Sequence, residues 1–320
     1  MPVEFVLDFE KPIIDLQRKI DEMRAIASQD GVNLEGEIVA LENKLGRLKT
    51  DIYRQLSRWQ RVQVARHPKR PYTLDYIERI ATDFIEIHGD RNFRDDPAVV
   101  CGFATIEDCR VVILGQQKGH DATDNIHRNF GMMHPEGYRK ALRAMKLAEK
   151  FALPVVILID TPGAYPGIGA EERGQAEAIA RNIMEMARLK TPIVITIIGE
   201  GASGGALGIG VGDTILMLEN SWYSVISPEG CAAILFRDRA FAPQSADALQ
   251  VGATDLLKLD VIDKILPEPP GGAHSNYDAV AQTIKTAILD EIERLARIDS
   301  DELVQLRIAK YRKMGVYRET

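Results

Sequence analysis

Apolar residues recur every three or four positions through the first part of the chain. Between positions 10 and 66 they predict two helices, separated by a break at Asp30-Gly31. The two stripes consist of Ile13, Leu16, Ile20, Met23 and Ala27, then Ile38, Leu41, Leu45, Leu48, Ile52 and Trp59. Each helix therefore has one apolar face, and we expect an antiparallel hairpin. The spacing fits a hairpin packed on its own domain as well as an arm that contacts a partner subunit, and we predict the arm.

The pattern changes at Pro68 and Pro71, two closely spaced prolines that end the helical region. We place a domain boundary near residue 70. The segments predicted up to residue 151 are, in order, a short helix (74–87), two strands of a β-hairpin (99–106 and 111–115), a polar stretch without periodicity (118–134) and a helix (136–151).

Strands and helices alternate from residue 155 onward. The predicted segments are strand 155–160, helix 176–189, strand 193–198, a short helix, strands 215–218 and 223–226, and a helical region over 277–311. The buried strands are continuous apolar runs, as is typical of a sheet covered on both faces. The predicted class is α/β with helical extensions at both ends.

Composition excludes several classes of protein. The 320 residues carry a formal charge of -7, which argues against a nucleic-acid binder. The three cysteines form no CxxC pair, and the histidines lack metal-ligand spacing, so we expect no bound metal. The N-terminus lacks a signal-peptide pattern, and the longest apolar stretch (193–211) contains Glu200 and several glycines. We therefore expect a cytoplasmic protein without a membrane span.

Two glycine-rich segments carry the candidate chemistry. They cover residues 160–174 and 199–210, and each follows a buried strand and leads into a helix. Ligands bind at that end of the strands in open α/β sheets. Glycine allows close approach to the backbone, and helix N-terminal N–H groups favour negative charge. The pattern predicts a site that stabilises an anion with main-chain donors.

Short motifs in the second segment indicate competing activities. Gly199, Gly201 and Gly204 match the dinucleotide fingerprint G-x-G-x-x-G, with Glu219 at the acidic position, but the helix that follows is too short for it. We therefore expect no bound nucleotide.

The same segment also matches a serine nucleophile elbow. Residues 201–205 spell G-x-S-x-G around Ser203, and His274 is the only histidine after it. A serine hydrolase using Ser203 and His274 is the main alternative function. Otherwise Ser203 is a helix cap. A third possibility is a non-catalytic scaffold in which the glycine turns are only structural.

Longer blocks of sequence resemble the alpha subunits of the bacterial-type acetyl-CoA carboxylase carboxyltransferase. The resemblance covers nearly the whole chain. Its blocks are Arg70-Pro-Tyr-Thr-Leu-Asp75, Asn129-Phe-Gly-Met132, Pro135-Glu-Gly-Tyr-Arg-Lys-Ala-Leu142, Ile159-Asp-Thr-Pro-Gly-Ala-Tyr-Pro-Gly167, Ala170-Glu-Glu-Arg-Gly-Gln175, Ile198-Gly-Glu-Gly-Ala-Ser-Gly-Gly-Ala-Leu207 and Ser224-Val-Ile-Ser-Pro-Glu-Gly-Cys-Ala232.

The resemblance implies a fold and a reaction. The fold is the crotonase-like β-β-α superhelix, here with an N-terminal helical hairpin (1–70), a carboxyltransferase domain (71–275) and C-terminal helices (276–320). The reaction transfers a carboxyl group from carboxybiotin, carried on a separate biotin carboxyl carrier protein, to acetyl-CoA, giving malonyl-CoA for fatty acid biosynthesis. A beta subunit with a zinc ribbon completes the site, in an assembly of two alpha and two beta chains that works with biotin carboxylase.

The resemblance also implies roles for particular residues. The backbone N–H groups of Gly204, Gly205 and Ala206 are expected to form an oxyanion hole for the biotin ureido oxygen. The first turn, Gly163-Ala164-Tyr165-Pro166-Gly167, is expected to form either a wall against the biotin ring or only a rigid connection. Ser203 is expected to contribute to the same biotin- and substrate-binding site. Lys118 and Arg173 could meet a carboxylate or CoA phosphates, but we expect surface charges there. No general base is identifiable.

Overall fold

Alternating strands and helices make up most of the computed structural model, which describes residues 5–30 and 33–315. Its helices are α1 Lys11–Asp30, α2 Glu35–Arg54, α3 Arg58–Ala65, α4 Thr73–Ile80, α5 Ala122–His127, α6 Pro135–Lys150, α7 Ile168–Glu172, α8 Gln175–Met186, α9 Ser203–Leu207, α10 Pro228–Leu235, α11 Ala242–Leu249, α12 Ala253–Lys258, α13 Tyr277–Leu295 and α14 Ser300–Arg312. Its strands are β1 Thr82–Glu86, β2 Val99–Ile106, β3 Cys109–Gln116, β4 Val155–Thr161, β5 Ile193–Ala202, β6 Thr214–Leu218, β7 Trp222–Ser224 and β8 Lys264–Leu266.

The N-terminal helices α1 and α2 form the predicted antiparallel pair. Arg24 of α1 contacts Glu42 of α2, and the hydroxyl of Tyr53 donates to Glu10 just before α1, 2.5 Å away. The start of α1 thus lies beside the end of α2, and a residue later in α1 contacts one earlier in α2, so the two helices run in opposite directions. Ile20 lies in the buried core between them. Gly31, one half of the predicted break, lies outside the described residues.

A third helix, α3, fixes the hairpin to the rest of the chain. It begins at Arg58, after Ser57 has capped its first turn by accepting from the Gln60 amide. Arg58 forms a two-pronged ion pair with Asp255, with both N–O distances at 2.7 Å. Arg70, which follows α3, is fully buried against Glu268. Contact of the hairpin with a partner subunit stays a prediction.

In the described part of the chain, one mixed sheet of eight strands organises the fold. Its order is β1-β2-β3-β4-β5-β6-β8, with β7 paired to the end of β5. Strands β1 to β3 are antiparallel, and β3, β4, β5, β6 and β8 are parallel. The predicted hairpin of β2 and β3 is confirmed, with Ile106 opposite Cys109. The sheet confirms the predicted α/β class.

Both faces of the sheet are covered. Helices α6 and α8 pack on one apolar cluster, and α4 and α13 pack on the other. All residues of β4, β5 and β6 are buried, as their continuous apolar sequences predicted. Within the two described ranges, no helix combines the length and apolar character that crossing a membrane requires.

Some predicted elements were wrong. The helix expected over residues 74–87 ends at Ile80, and the strand β1 follows it. Pairing with β2 overrides the local pattern, because Gly102 has no side chain: a Cβ there would lie 2.3 Å from the Ile85 carbonyl oxygen. The polar stretch 118–134 contains α5 and a 3₁₀ turn at Asn129–Gly131. The sequence did not predict α10 to α12 or β8.

Candidate active site

An open cavity lies where β4 and β5 end, between the two glycine-rich turns. Its volume is about 460 Å³. The first turn contributes residues 162–166, the second contributes Ser203 and Gly204, and the loop after β7 contributes Val225 and Ile226. A second cavity of about 440 Å³ shares Ser203, Gly204 and Val225 with the first. The structure thus brings both predicted turns to one cleft.

The two turns touch through their backbones at Gly205. A Cβ on Gly205 would lie 2.3 Å from the carbonyl carbon of Gly163 and 2.6 Å from the amide nitrogen of Ala164. Neither atom can move without moving the first turn. A Cβ on Gly204 would meet only the end of the Ile179 side chain, at 3.3 Å. Gly205 is therefore a glycine because the turns pack together, whereas Gly204 faces the cavity.

Ser203 occupies a strained position between β5 and α9. Its φ of 56° lies in the left-handed region that non-glycine residues rarely adopt. The expectation that Ser203 caps the helix is wrong, because Ala202 occupies the N-cap position and no side chain caps α9. Ser203 is exposed on the cavity wall. Strain of this kind often marks a functional turn.

The predicted oxyanion donors form the first turn of α9. The first N–H groups of a helix have no acceptor within it, which leaves them for a ligand. Gly204 lines the cavity, while Gly205 and Ala206 are buried behind it. Their role as donors stays a prediction.

The first turn is held by hydrogen bonds at Tyr165. Its amide donates to the Met133 carbonyl over 3.1 Å, and its carbonyl accepts from Gln175 Nε2 over 2.9 Å. Its ring packs on His134 at 4.4 Å between centroids. Gly167 lies behind the ring, where a Cβ would be 2.3 Å from Tyr165 Cε1. These contacts fix residues 163–166 as one wall of the cavity.

A buried ion cluster underlies both turns. Lys118 Nζ lies 2.6 Å from Asp160 Oδ1 and 2.8 Å from Glu200 Oε2. The expectation that Lys118 is a surface charge is wrong, since only 9% of it is exposed. This role of Lys118 could not be predicted, because its two acidic partners are far away in the sequence. Only the fold brings the ends of β4 and β5 to the end of β3.

The cluster perturbs the pKa values of its members in opposite directions. Burial raises the pKa of Asp160 above its ordinary value despite Lys118. Burial would also raise the pKa of Glu200, but Lys118 and Arg66 together hold it below its ordinary value. Burial opposes the charge of Lys118, yet the two carboxylates raise the pKa of the ammonium group. Lys118 therefore remains charged at neutral pH.

Arg173 is also not the free surface charge that the sequence predicted. Its guanidinium lies 3.0 Å from Glu136, which is fully buried, and its carbonyl accepts from Arg139. Arg173 thus fixes the chain between α7 and α8 and is not a free cation.

Comparison with known proteins shows the family. Residues 6–315 match the family described as acetyl co-enzyme A carboxylase carboxyltransferase-like. The chain belongs to this family. A carboxyl transferase subunit alpha from Chlorobium phaeovibrioides is 56% identical over 333 aligned positions, covering 100% of this chain and 99% of that protein. A subunit alpha of the same name from Syntrophotalea carbinolica is 53% identical and covers 99% of this chain and 100% of its own.

Solved structures share the fold of this carboxyltransferase-like chain at low identity. A Pseudomonas malonate decarboxylase hetero-tetramer superposes with a TM-score of 0.59 at 16% identity, covering 73% of this chain and 91% of that one. The beta subunit of geranyl-CoA carboxylase from P. aeruginosa gives a TM-score of 0.54 at 16% identity, covering 83% and 47%. These likenesses support the predicted crotonase-like fold.

Ser203 and His274 form no catalytic pair in this carboxyltransferase-like chain. His274 stacks on His67 with ring centroids 3.8 Å apart, and its Nε2 lies 4.0 Å from Glu10. Burial lowers the pKa of His274 to about 3, which keeps the ring neutral. His274 therefore belongs to the contact between the hairpin and the sheet, and the serine-hydrolase alternative is wrong.

Two of the three glycines of the dinucleotide fingerprint have packing roles. A Cβ on Gly199 would lie 2.6 Å from Asp160 Oδ1, and one on Gly201 would lie 2.7 Å from the Tyr223 ring. Glu219 accepts from the Glu268 amide. Close packing therefore accounts for Gly199 and Gly201, and a hydrogen bond for Glu219. Among the described residues, no group of three or more histidine, cysteine, aspartate or glutamate side chains could hold a metal ion.

Other cavity residues gave no chemical signal in the sequence. Glu171, Gln175 and Ile179 reach the cavity from α7 and α8, and Ile226 reaches it from a loop that was predicted as strand. Their spacing fits ordinary helices, so only the fold shows that they line the cleft.

Proposed function

We propose that this chain is the alpha half of a biotin-dependent carboxyltransferase. Together with a beta subunit it transfers the carboxyl group of carboxybiotin, presented by a biotin carboxyl carrier protein, to acetyl-CoA, and so forms malonyl-CoA for fatty acid biosynthesis. The observation that carries the proposal is the backbone contact of two glycine turns at an open cleft, Gly205 against Gly163 and Ala164. Family membership over residues 6–315 supports it.

The reaction needs stabilisation of negative charge more than it needs a nucleophile. The ureido oxygen of biotin gains charge when its N1 gives up the carboxylate, and the acetyl thioester passes through an enolate. Preorganised backbone donors suit both charges, and the loss of one such donor costs about 10²–10³ in rate. The N–H groups of Gly204, Gly205 and Ala206 supply them for biotin, and the wall at residues 163–167 orients its ring. Biotin N1, once free, can take the acetyl proton.

Exposed apolar side chains support a partner subunit. Val225 at the cavity rim is 77% exposed, and Ile234, Leu235 and Phe236 at the end of α10 are 70%, 66% and 46% exposed. The last three are consecutive in the chain, and exposed apolar patches often mark protein contacts. The relatives are named subunit alpha, which implies a beta subunit. We infer that the beta chain covers this surface and closes the cleft in an assembly of two alpha and two beta chains, in the cytoplasm, alongside biotin carboxylase.

Substitution of Ser203 tests whether carboxyl transfer needs the serine side chain. We expect the complexes with Ser203→Ala and with Ser203→Gly to retain carboxyl transfer within about tenfold, because neither removes a backbone donor. Glycine also relieves the strain of the positive φ. The measurement is the rate of acetyl-CoA release from malonyl-CoA and biocytin by the reconstituted alpha and beta subunits. Loss of essentially all carboxyl transfer in both variants would show that the Ser203 hydroxyl is required and would contradict catalysis by backbone donors alone.

A further inference from the structure

The side chain of Gln116 connects the strand β4 to the helix α9 at the cleft. Gln116 is the last residue of β3 and is fully buried. Its Nε2 donates to the Gly205 carbonyl oxygen over 3.1 Å, and its Oε1 accepts from the Asp160 amide over 3.1 Å. One side chain therefore joins the end of β4 to the first turn of α9.

Gly205 uses this bond in place of a helical one. In a regular α-helix its carbonyl would accept from the amide of Ile209, four residues on. Here the Ile209 amide donates to the Ala206 carbonyl over 3.2 Å, while Gly208 donates to the Gly204 carbonyl over 2.9 Å. The helix is therefore wound more tightly at this point. Gln116 donates to the Gly205 carbonyl in place of the Ile209 amide.

The carbonyl of Gly205 and the amide of Ala206 belong to the same planar peptide group. A hydrogen bond that fixes the oxygen therefore also fixes the direction of the N–H on the other side. It also polarises the group, which strengthens that N–H as a donor. Both effects act on the first turn of α9, where the proposed oxyanion donors lie.

The orientation of the Gln116 amide is itself determined by its neighbours. The backbone N–H of Asp160 can only donate, so it requires the oxygen of the Gln116 side chain, and the Gly205 carbonyl can only accept, so it requires the nitrogen. Asp160 is held in turn, since its Oδ1 accepts from Lys118 and from the Glu200 amide at 2.9 Å. The buried ion cluster thus supports Gln116 from behind.

We propose that Gln116 is a positioning residue for carboxyl transfer: it orients the peptide groups of α9 that face the charge on biotin, without touching the substrate. This inference rests on the proposed function and adds to it a residue outside both glycine turns. It explains why a buried amide occupies the end of β3, where an apolar residue would cover the same space.

Gln117 provides a matched control in the same segment. It is 3% exposed, accepts from the Leu74 amide over 2.8 Å and donates to the Lys118 carbonyl over 2.7 Å. It therefore also loses one donated and one accepted bond on substitution, but neither bond reaches α9. Methionine at either position keeps the length of the side chain and removes both bonds.

The test compares Gln116→Met, Gln116→Glu and Gln117→Met in the complex with the beta subunit. We expect Gln116→Met to lower kcat about tenfold or more while the KM for malonyl-CoA stays within about twofold, because misplaced donors affect the transition state more than substrate binding. Gln116→Glu keeps the acceptor for Asp160 but sets an oxygen against the Gly205 carbonyl, so it should also lower kcat. Gln117→Met should lower the thermal midpoint by a similar amount and keep kcat within about twofold.

The possible outcomes distinguish a failure of the positioning role from a failure of the proposed function. Equal losses of kcat in the Gln116 and Gln117 variants, or full kcat in both Gln116 variants, would overturn the positioning role while leaving the transferase intact. An inactive native complex would overturn the proposed function and, with it, this inference. If Gln116→Met fails to assemble, Gln116→Glu gives the same comparison with one bond retained.

Discussion

Replacing Gly205 with valine is expected to abolish carboxyl transfer, with kcat reduced by about 10³-fold or more. The new Cβ would lie 2.3 Å from the carbonyl carbon of Gly163 and 2.6 Å from the Ala164 nitrogen, so the two turns must separate. Separation moves the donors of α9 and the wall of the cavity together. The measurement is kcat of the reconstituted complex, after size-exclusion chromatography has shown that it assembles.

Gly102→Val is the matched control for this substitution. A Cβ on Gly102 also meets backbone at 2.3 Å, at the Ile85 oxygen, but on the edge strand β1 rather than at the cleft. It should lower the thermal midpoint and leave the kcat of the folded complex within a few fold. If the assembled Gly205→Val complex transfers carboxyl groups at the native rate, the glycine turns are only structural and the chain is a scaffold.

Lys118→Met is expected to cause the largest loss of stability, about 3–5 kcal/mol in the free energy of unfolding. The change leaves Asp160 and Glu200 buried without their shared cation, although Arg66 still pairs with Glu200 at 2.6 Å. Denaturant unfolding of the isolated chain measures it. Burial raises the pKa of Asp160 in the folded state and Lys118 opposes that rise, so removing Lys118 should raise this pKa further. The folded variant then takes up a proton at a higher pH than the folded native chain, and the loss should shrink as the pH falls below neutral.

Two further variants check the cause of that loss. Adding Asp160→Asn to Lys118→Met should recover part of the stability, since it removes the unpaired charge. Lys146→Met, which breaks a half-exposed ion pair with Glu185 at 3.1 Å, should change stability by less than about 1 kcal/mol. If Lys118→Met costs no more than Lys146→Met, the ion cluster does not stabilise the fold.

The glycine turns could be predicted from the sequence because their signal is local. Continuous apolar runs identified β4 and β5, and the glycines after them identified the ends where ligands bind. Hydrophobic periodicity likewise predicted the hairpin of α1 and α2. In each case the residues that show the pattern are the same residues that form the strand, turn or helix.

The contacts that complete the site could not be predicted, since they join residues far apart in sequence. Nothing near Gly205 indicates that its Cβ position is filled by the backbone of Gly163. In the sequence, Lys118 resembles an ordinary surface lysine. Only the packing of β3, β4 and β5 places it between Asp160 and Glu200. Strand β1 was missed for the same reason: its pairing with β2 depends on the absence of a side chain at Gly102. Tertiary packing decides such positions, and a single sequence does not contain it.

Carboxyl transfer by separately purified subunits shows whether this chain is one half of a transferase. The chain, a beta subunit and their mixture are each given malonyl-CoA and biocytin, and acetyl-CoA release is followed. We expect release by the mixture and none above background by this chain alone, because the cleft between the glycine turns needs its partner. Release by this chain alone, or no release by an assembled mixture, would contradict it.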